Sequence, residues 1–358
     1  MKVILLFGGR SPEHEVSILS ARSVAGAAPP RIELTPICIG KDGRFIAPER
    51  SARILAGEEK SEQGDTGFFF EQWVRGVEVD LVFPLVHGGG GEDGSLQGYL
   101  EILGLPYLGS SVTSSAIGMD KAHMKQAFAA AKLPMVDHIA VHEREWTSER
   151  ERVTRAINNA LRLPYFVKPA NSGSSVGVTK VKGEGELGKA IEHALRFDEK
   201  VLVERGLDAR EIEVSVLGTD KPEASVPGEI VAGAEFYDYM DKYVENKSQL
   251  LIPAKLPKEK VEEFRRHAVT AFKAIGASGF ARVDFFLERG TNRLFINEIN
   301  TIPGFTNISM YPKLWEATEM KYPRLIERLL ELGLERAKQR AARTQSMMQW
   351  FEEVKGIV

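Results

Sequence analysis

Apolar runs of single-strand length alternate with stretches of helical spacing through residues 1–118. Residues 2–7 run into the glycine turn GGRSPEHE before the first helical stretch, and the runs LTPICIG and DLVFPLV repeat this pattern. Strands that alternate with helices pair in parallel. We therefore predict an α/β fold that begins with a doubly wound parallel sheet, with residues 41–66 as an elaborated surface region.

Composition restricts the function classes. A hydrophobic content of 43% and a charged content of 27% are typical of a globular protein. The net charge of −3 gives no basic signal for nucleic acid. The first apolar run ends before Arg10, too short for a signal peptide or a membrane span, so we expect a cytoplasmic protein with no membrane partner. Cys38 stands in a strand-like run, which favours core packing over catalysis.

Further along the chain, the pattern changes twice. Asp120 is placed to cap a new helix, which sets the first boundary near residue 118. A compact unit of strands and helices follows, and longer strands begin at Glu211. The last residues are polar with scattered apolar side chains, which predicts a partly packed helix. The expected units are an N-terminal domain, a central domain, a C-terminal domain and a helical tail, at residues 1–118, 119–210, 211–340 and 341–358.

The hairpin ARVDFFLERGTNRLFINEINTIPG, residues 281–304, carries the strongest chemical signal. If Asp284 pairs with Glu298, alternation places four polar side chains on one face of the hairpin: Arg282, Asp284, Glu298 and Asn300. Phe286, Leu294 and Ile296 continue this face nearer the turn. Opposed carboxylates are expected to hold a cation, to share a proton, or to be separated by another register. Oxygen ligands suit Mg²⁺ or Mn²⁺. The alternative is a surface hairpin with solvated charges.

Two glycine-rich segments differ in their chemistry. The run PYFVKPANSGSSVGV sets Lys168 before a turn of glycines and serines that can wrap phosphate oxygens, and the alternative is a flexible loop with a solvated lysine. The run GEGELGKA resembles a nucleotide loop, but Ala190 replaces the hydroxyl residue, and Glu184 and Glu186 would repel a pyrophosphate. We interpret it as a strand-to-helix turn.

Three other segments leave alternatives open. The acidic loop HGGGGEDG fits a substrate ammonium or a loop contact better than phosphate, and a histidine such as His87 is more often structural than catalytic. Glu13 and Glu15 are either helix-capping carboxylates or ligand contacts. The aromatic run FYDYMDKY, with Lys242, is either an exposed loop or an active-site cover.

Taken in order, GGRSPEHEVS, HGGGGEDGSLQG, MDK, VKPANSGSSVG, FYDYMDKY, ARVDFF and NEINTIPGFTNIS resemble the D-alanine–D-alanine ligases of the ATP-grasp superfamily. The resemblance extends from Lys2 to about Leu332. It implies three α/β domains with ATP between the second and third, a homodimer, and a reaction in which ATP phosphorylates one D-alanine before the amine of another attacks the acyl phosphate. The dipeptide serves peptidoglycan synthesis.

The resemblance also implies roles for residues around ATP. Lys121 and Lys168 would bind the phosphates, below a mobile loop that carries Ser174 and Ser175. The ribose-binding pair and the segment bordering adenine would be Glu204 with Glu211 and Arg205 with Leu207. Two Mg²⁺ ions, or Mn²⁺, would be held by Asp284, Glu298 and Asn300.

For the amino-acid substrates, the resemblance implies a second set of contacts. Glu13 would pair with the ammonium of the first alanine, and Ser309 would hold the carboxylate of the second. Arg282 and the backbone N–H of Gly304 would stabilise the oxyanion formed by amine attack. His87 and Lys242 would contact substrate. Tyr243, with Ser174, would join the loop FYDYMDKY to Glu13 and close the site against water.

The sequence also allows three competing hypotheses. A ligase with a different second substrate, D-lactate or D-serine, would share the motifs, although Tyr243 favours D-alanine. A non-catalytic nucleotide-binding protein of the same fold would have no need of Arg282. A dehydrogenase would depend on GEGELG, which is acidic and lies late in the second unit.

Overall fold

The computed structural model describes residues 1–231 and 249–355. The strands are β1 (Lys2–Gly8), β2 (Glu33–Ile39), β3 (Phe45–Ile46), β4 (Leu81–Pro84), β5 (His138–His142), β6 (Tyr165–Pro169), β7 (Thr179–Val181), β8 (Lys200–Arg205), β9 (Ala209–Gly218), β10 (Glu223–Ala224), β11 (Gly228–Val231), β12 (Gln249–Leu251), β13 (Gly279–Glu288) and β14 (Leu294–Asn300). The helices are α1 (His14–Ala27), α2 (Pro48–Ala56), α3 (Phe70–Trp73), α4 (Ser95–Ile102), α5 (Val112–Met119), α6 (Lys121–Ala130), α7 (Glu143–Ala160), α8 (Leu187–Ala194), α9 (Lys258–Ala274), α10 (Met310–Ala317) and α11 (Tyr322–Lys355).

The N-terminal sheet has the strand order β3-β2-β1-β4. Strand β1 pairs in parallel with β2 and β4, while the short β3 is an antiparallel edge. The predicted α/β fold with a parallel first sheet is confirmed. The stretch 41–66 is more integrated than expected, because it supplies β3 and α2, whose Ser51 and Ile54 are buried. The run LPYLG contributes a single bridge, Val82 with Tyr107.

The central sheet is antiparallel with the order β5-β8-β6-β7. The charged helix α7 and the helix α8 pack apolar residues against it. The run GEGELGKA forms the turn into α8, and Ala190 is buried in this core. This placement agrees with a turn and not with a nucleotide loop.

The C-terminal sheet has the order β12-β11-β9-β13-β14, with β10 also paired to β9. The predicted hairpin register is confirmed: Asp284 pairs with Glu298 and Arg282 with Asn300. On the other side of β13, Asp284 is also level with Glu213 of β9. Polar side chains from three neighbouring strands therefore share one face of this sheet.

A β-bulge changes the rest of the hairpin. Asp284 pairs with Glu298, but the next residue, Phe285, pairs with Ile296, so Asn297 is an extra residue on β14. The expectation that Leu294 and Ile296 lie on the polar face is therefore wrong. Both are buried in the core on the opposite face, since a bulge reverses the alternation of the residues beyond it.

Helix α11 joins the end of the chain to its beginning. Leu325, Leu329 and Leu332 pack in the same core as Val3 and Leu5 of β1. The tail at residues 341–358, predicted as a partly packed helix, is helical as far as Lys355, but residues 341–353 are exposed and not packed. In the parts of the chain that the structure describes, no helix has the length and apolar character needed to span a bilayer.

Candidate active site

A cavity opens where loops from the N-terminal sheet, the glycine-serine loop and the C-terminal sheet meet. Its lining includes most of the residues predicted to contact the amino-acid substrates, together with two predicted metal ligands: Glu13, His87, Ser174, Arg282, Glu298, Asn300, Gly304 and Ser309. The sequence separates these residues by up to about three hundred positions. The fold brings them into one site.

The contact between Glu13 and Ser174 closes one side of this cavity. Glu13 precedes α1, and its carboxylate accepts a hydrogen bond from the Ser174 hydroxyl. Ser174 and Ser175 have φ values of 49° and 61°, a backbone conformation that is unfavourable for serine. Gly88 permits the close approach of Glu13, since a Cβ there would lie 2.6 Å from Glu13 Oε2.

His87 is buried and holds several loops together. Its Nε2 is 2.9 Å from Ser20 Oγ, and its Nδ1 is 3.0 Å from the Ile302 carbonyl oxygen. Glu92 lies 3.7 Å from the same Nδ1. Burial raises the pKa of Glu92 even though His87 opposes the shift. Because both ring nitrogens of His87 have protein partners, the geometry supports a positioning role at the cavity edge.

Arg282 is the centre of an ion group that we call the arginine cluster, defined as Glu213, Arg282 and Asp284. Arg282 donates hydrogen bonds to both oxygens of Asp284 at 2.7 Å, and its Nε lies 3.0 Å from Glu213 Oε2. Burial alone would lower the pKa of Arg282, but the two carboxylates raise it well above its ordinary value. The guanidinium is therefore fixed and charged.

The predicted metal ligands offer oxygen atoms on one sheet face. Asp284 and Glu298 are directly paired, and Asn300 follows two residues later. Within the described ranges, no group of three or more His, Cys, Asp and Glu side chains could hold an ion. A Mg²⁺ ion bound here would therefore use the Asn300 amide and oxygens of a nucleotide as well, which is how Mg²⁺ is often bound. The donor set fits that ion.

Lys121 enters the site from the first turn of α6. The Asp120 carboxylate caps this helix by accepting from the backbone N–H groups of Ala122 and His123, as the sequence predicts. Lys200 also pairs with Asp120, and although burial opposes ionisation, these partners hold the pKa of Asp120 at about 2. Lys121 Nζ donates to the Ser172 carbonyl oxygen at 2.6 Å and lies 3.7 Å from Glu298.

A second ion group, the lysine cluster, is defined as Lys125, Lys168 and Glu204. Glu204 Oε2 is 2.6 Å from Lys168 Nζ, and Glu204 Oε1 is 2.8 Å from Lys125 Nζ. Burial favours protonation of Glu204, but the two ammonium groups hold its pKa at about 2. Lys168 also lies 3.4 Å from the amide oxygen of Asn297, the bulged residue of the hairpin.

The other predicted nucleotide contacts border this cluster. Arg205 follows Glu204 on β8, and its guanidinium lies over the Phe295 ring, 5.8 Å from its centre. Leu207 is partly exposed in the next loop, and Glu211 lies on β9, level with Phe286 of β13. The expected base-binding segment therefore runs from the central to the C-terminal sheet.

Gly304 and Ser309 lie close together beyond the hairpin. A Cβ on Gly304 would be 2.8 Å from Ser309 Oγ, which also accepts a hydrogen bond from the backbone N–H of Thr306. Ser309 directly precedes α10. A carboxylate bound here would face the start of that helix, where N–H groups favour an anion.

Some predicted residues remain untested, and others were missed. Tyr243 and Lys242 lie outside the described residues. Lys125 and Glu213 were absent from the predicted site, although both are buried in its ion groups. Lys125 stands one helical turn after Lys121, and Glu213 two residues after Glu211, so helix and strand periodicity could have identified both.

Similarity to known proteins covers most of the chain. Family models described as D-ala D-ala ligase N-terminus and D-ala D-ala ligase C-terminus match residues 2–110 and 127–331. The D-alanine–D-alanine ligase of Halothermothrix orenii is 48% identical over 339 residues, which cover 94% of this chain and 98% of that relative.

Solved structures show the same similarity. The D-alanine-D-alanine ligase from Coxiella burnetii has a TM-score of 0.81 and 35% identity, covering 100% of this chain and 99% of its own. The VanG D-Ala:D-Ser ligase from Enterococcus faecalis has a TM-score of 0.82 and 33% identity, covering 93% of this chain and 99% of its own.

Proposed function

Because the chain belongs to the D-alanine–D-alanine ligase family and joins two D-alanines for cell-wall synthesis, we propose that ATP is its co-substrate. We also propose that the lysine cluster serves phosphate binding and the arginine cluster serves the metal ions and the oxyanion. A carboxylate is a poor acylating agent until one of its oxygens can leave as phosphate. The reaction therefore needs a phosphoryl transfer and then an amine attack.

In the first step, a carboxylate oxygen of one D-alanine attacks the γ-phosphorus of ATP, and the bond from that phosphorus to the β-γ bridging oxygen breaks to release ADP. Lys121 approaches Glu298 and Lys168 approaches the adjacent Asn297, so the two lysines come from different elements toward the same part of β14, where their charges would neutralise phosphate oxygens. Glu204, Arg205, Leu207 and Glu211 would bind the nucleoside, and Ser174 and Ser175 would cover the phosphates.

The metal-binding residues would be Asp284, Glu298 and Asn300. Two Mg²⁺ ions, or Mn²⁺, would supply charge neutralisation of the transferring phosphoryl group when bound. The protein's part is to present oxygen donors at fixed positions, and Arg282 contributes by holding both oxygens of Asp284.

In the second step, the amine of the other D-alanine attacks the acyl carbon, and the intermediate then expels phosphate to leave an amide. Arg282 and the backbone N–H of Gly304 would stabilise the oxyanion, a contribution of about 3 kcal/mol for a well-placed donor. Glu13 would bind the first ammonium, and Ser309 the second carboxylate. His87 would position the cavity wall, while Tyr243 and Lys242 stay predictions.

The observation that carries this proposal is the shared cavity of Glu13, Ser174, Arg282, Gly304 and Ser309. The test measures phosphate release and dipeptide formation with ATP, Mg²⁺ and D-alanine. We expect release to require all three, with Mn²⁺ able to replace Mg²⁺. Product formed with D-serine or D-lactate, and not with a second D-alanine, would overturn the assigned substrate preference, while nucleotide binding without turnover would overturn catalysis.

We also propose a homodimer, for which the end of α11 supplies a surface. Met347, Met348, Trp350 and Phe351 are 47–57% exposed there, an unusual concentration of large apolar side chains. Antiparallel pairing with a second copy would cover them and would set the basic part of the helix, with Arg343, against the acidic part, with Glu352.

Sedimentation of the full chain and of a variant ending at residue 340 tests the homodimer. We expect a dimer for the full chain and a monomer for the shorter variant. A monomeric full chain, or a shorter variant that stays dimeric, would contradict the assigned surface.

We propose the cytoplasm as the location, since ATP is available there.

A further inference from the structure

Lys125 is a buried lysine with an unusual environment. Its side chain is completely inaccessible to solvent, on a helix whose neighbouring inward residues Met124 and Phe128 belong to the apolar core. Burying an ammonium group is costly, and an apolar residue of similar size is often at least as stabilising as a buried ion pair. Stability alone therefore gives no reason for a lysine at this position.

The contacts of Lys125 point to its partner. Lys125 Nζ lies 2.8 Å from Glu204 Oε1, and among the described residues it has no partner in hydrogen-bond geometry. The other carboxylate oxygen of Glu204 is already paired with Lys168 at 2.6 Å. One buried carboxylate thus has two lysine partners, and although burial lowers the pKa of Lys125, its contact with Glu204 favours the charged ammonium. With both lysines charged, Glu204 has one cation more than neutrality requires.

The two lysines differ in what they can reach. The Lys168 side chain is 13% exposed and also contacts the bulged residue Asn297, so it borders the site. The Lys125 side chain is 0% exposed and cannot touch a nucleotide without a rearrangement of the core. Lys168 can therefore turn toward phosphate, whereas Lys125 stays with Glu204.

We propose that Lys125 is a positioning residue that serves as the permanent counter-ion of Glu204. Resting on the proposed role of Lys168 in binding ATP phosphates, this assignment explains why Glu204 has two cations. When Lys168 engages the nucleotide, Lys125 prevents Glu204 from becoming an unpaired buried carboxylate, which would oppose binding. Glu204 thereby stays ionised and oriented toward the nucleoside.

The test combines Lys125→Met with Glu204→Gln in a double-mutant cycle. Calorimetric ADP binding and the KM values for ATP and D-alanine are measured for each variant. For Lys125→Met we expect the ADP Kd and the ATP KM to rise about tenfold to a hundredfold, the effect of uncompensated charge burial. The KM for D-alanine should change less than about twofold, since the arginine cluster is intact. In the Glu204→Gln background, Lys125→Met should weaken ADP binding no further.

Phe128→Leu is the matched control, because it disturbs the core on the same helix without changing charge. It should lower the melting temperature and leave the ADP Kd unchanged. If Lys125→Met fails to fold, Lys125→Gln takes its place with the same expected direction. A folded variant with wild-type ADP affinity, or an equal loss in both Glu204 backgrounds, would overturn the inference. Absence of ATP-dependent dipeptide formation by the wild-type chain would instead overturn the proposed function.

Discussion

The lysine cluster and the arginine cluster have opposite arrangements. In the first, one carboxylate lies between two ammonium groups, and in the second, one guanidinium lies between two carboxylates. With every defining side chain ionised, the lysine cluster has an excess of positive charge and the arginine cluster an excess of negative charge. An excess of positive charge prepares a site for phosphate, and an excess of negative charge prepares a site for a cation. In the proposed reaction, the two clusters would thus provide separate places for the negative phosphate and the positive metal ion.

The clusters also differ in how they are built. The arginine cluster lies within one sheet, on neighbouring residues of β9 and β13, so strand pairing fixes its geometry. The lysine cluster joins helix α6 to strands β6 and β8 of another sheet. A change in packing between those elements would alter the lysine cluster more than the arginine cluster.

Arg282→Met should produce the largest loss. It removes the proposed oxyanion donor and leaves two carboxylates facing each other, so we expect kcat to fall about a thousandfold. Steady-state kinetics at saturating ATP and D-alanine measures this effect, with circular dichroism as the folding control. A variant that keeps at least a tenth of the wild-type kcat would contradict the proposed role of Arg282 as an oxyanion donor.

Asp284→Asn should have the next largest effect. The substitution keeps the shape of the side chain but removes the charge from the cation side, and we expect kcat to fall about a hundredfold with a higher Mg²⁺ requirement. A Mg²⁺ titration of the rate measures both changes. Unchanged activity and Mg²⁺ dependence would show that Asp284 serves Arg282 alone.

Lys168→Met tests the phosphate side. We expect the ATP KM to rise about thirtyfold, the loss of one charge-assisted contact, while the KM for D-alanine stays near the wild-type value. Initial rates with each substrate varied in turn separate the two constants. Equal increases in both KM values would show that the clusters do not divide the substrates as proposed.

Asp120→Asn should give the smallest effect, on the stability of the start of α6, the helix that carries Lys125. The pKa of Asp120 is held at about 2, below its ordinary value of 3.8, so its ionised form stabilises the fold above about pH 4 and this contribution is lost as pH falls toward 2. The variant should lose about 1 kcal/mol of unfolding free energy at pH 7, after allowance for solvent screening. Urea unfolding should show the difference shrinking below pH 4; a constant difference would contradict the electrostatic origin.

The sequence predicted the hairpin register because alternation and opposed polar residues leave few pairings. It could not predict the bulge at Asn297, because the bulge lets Leu294 and Ile296 pack in a core with residues from outside the hairpin. Helix periodicity places Lys125 on the same face as Lys121, but the sequence does not show that its partner is Glu204, a carboxylate far along the chain. Local periodicity therefore predicted the strand register, whereas the sequence did not predict which charged residues pair over long distances.

The packing of α11 has a consequence for the order in which the protein is made. Leu325, Leu329 and Leu332 complete the core that begins with Val3 and Leu5. A ribosome finishes the first sheet long before it reaches these leucines. Until the last helix emerges, the nascent chain has an uncovered apolar surface, which is the kind of surface that makes a folding intermediate prone to aggregation.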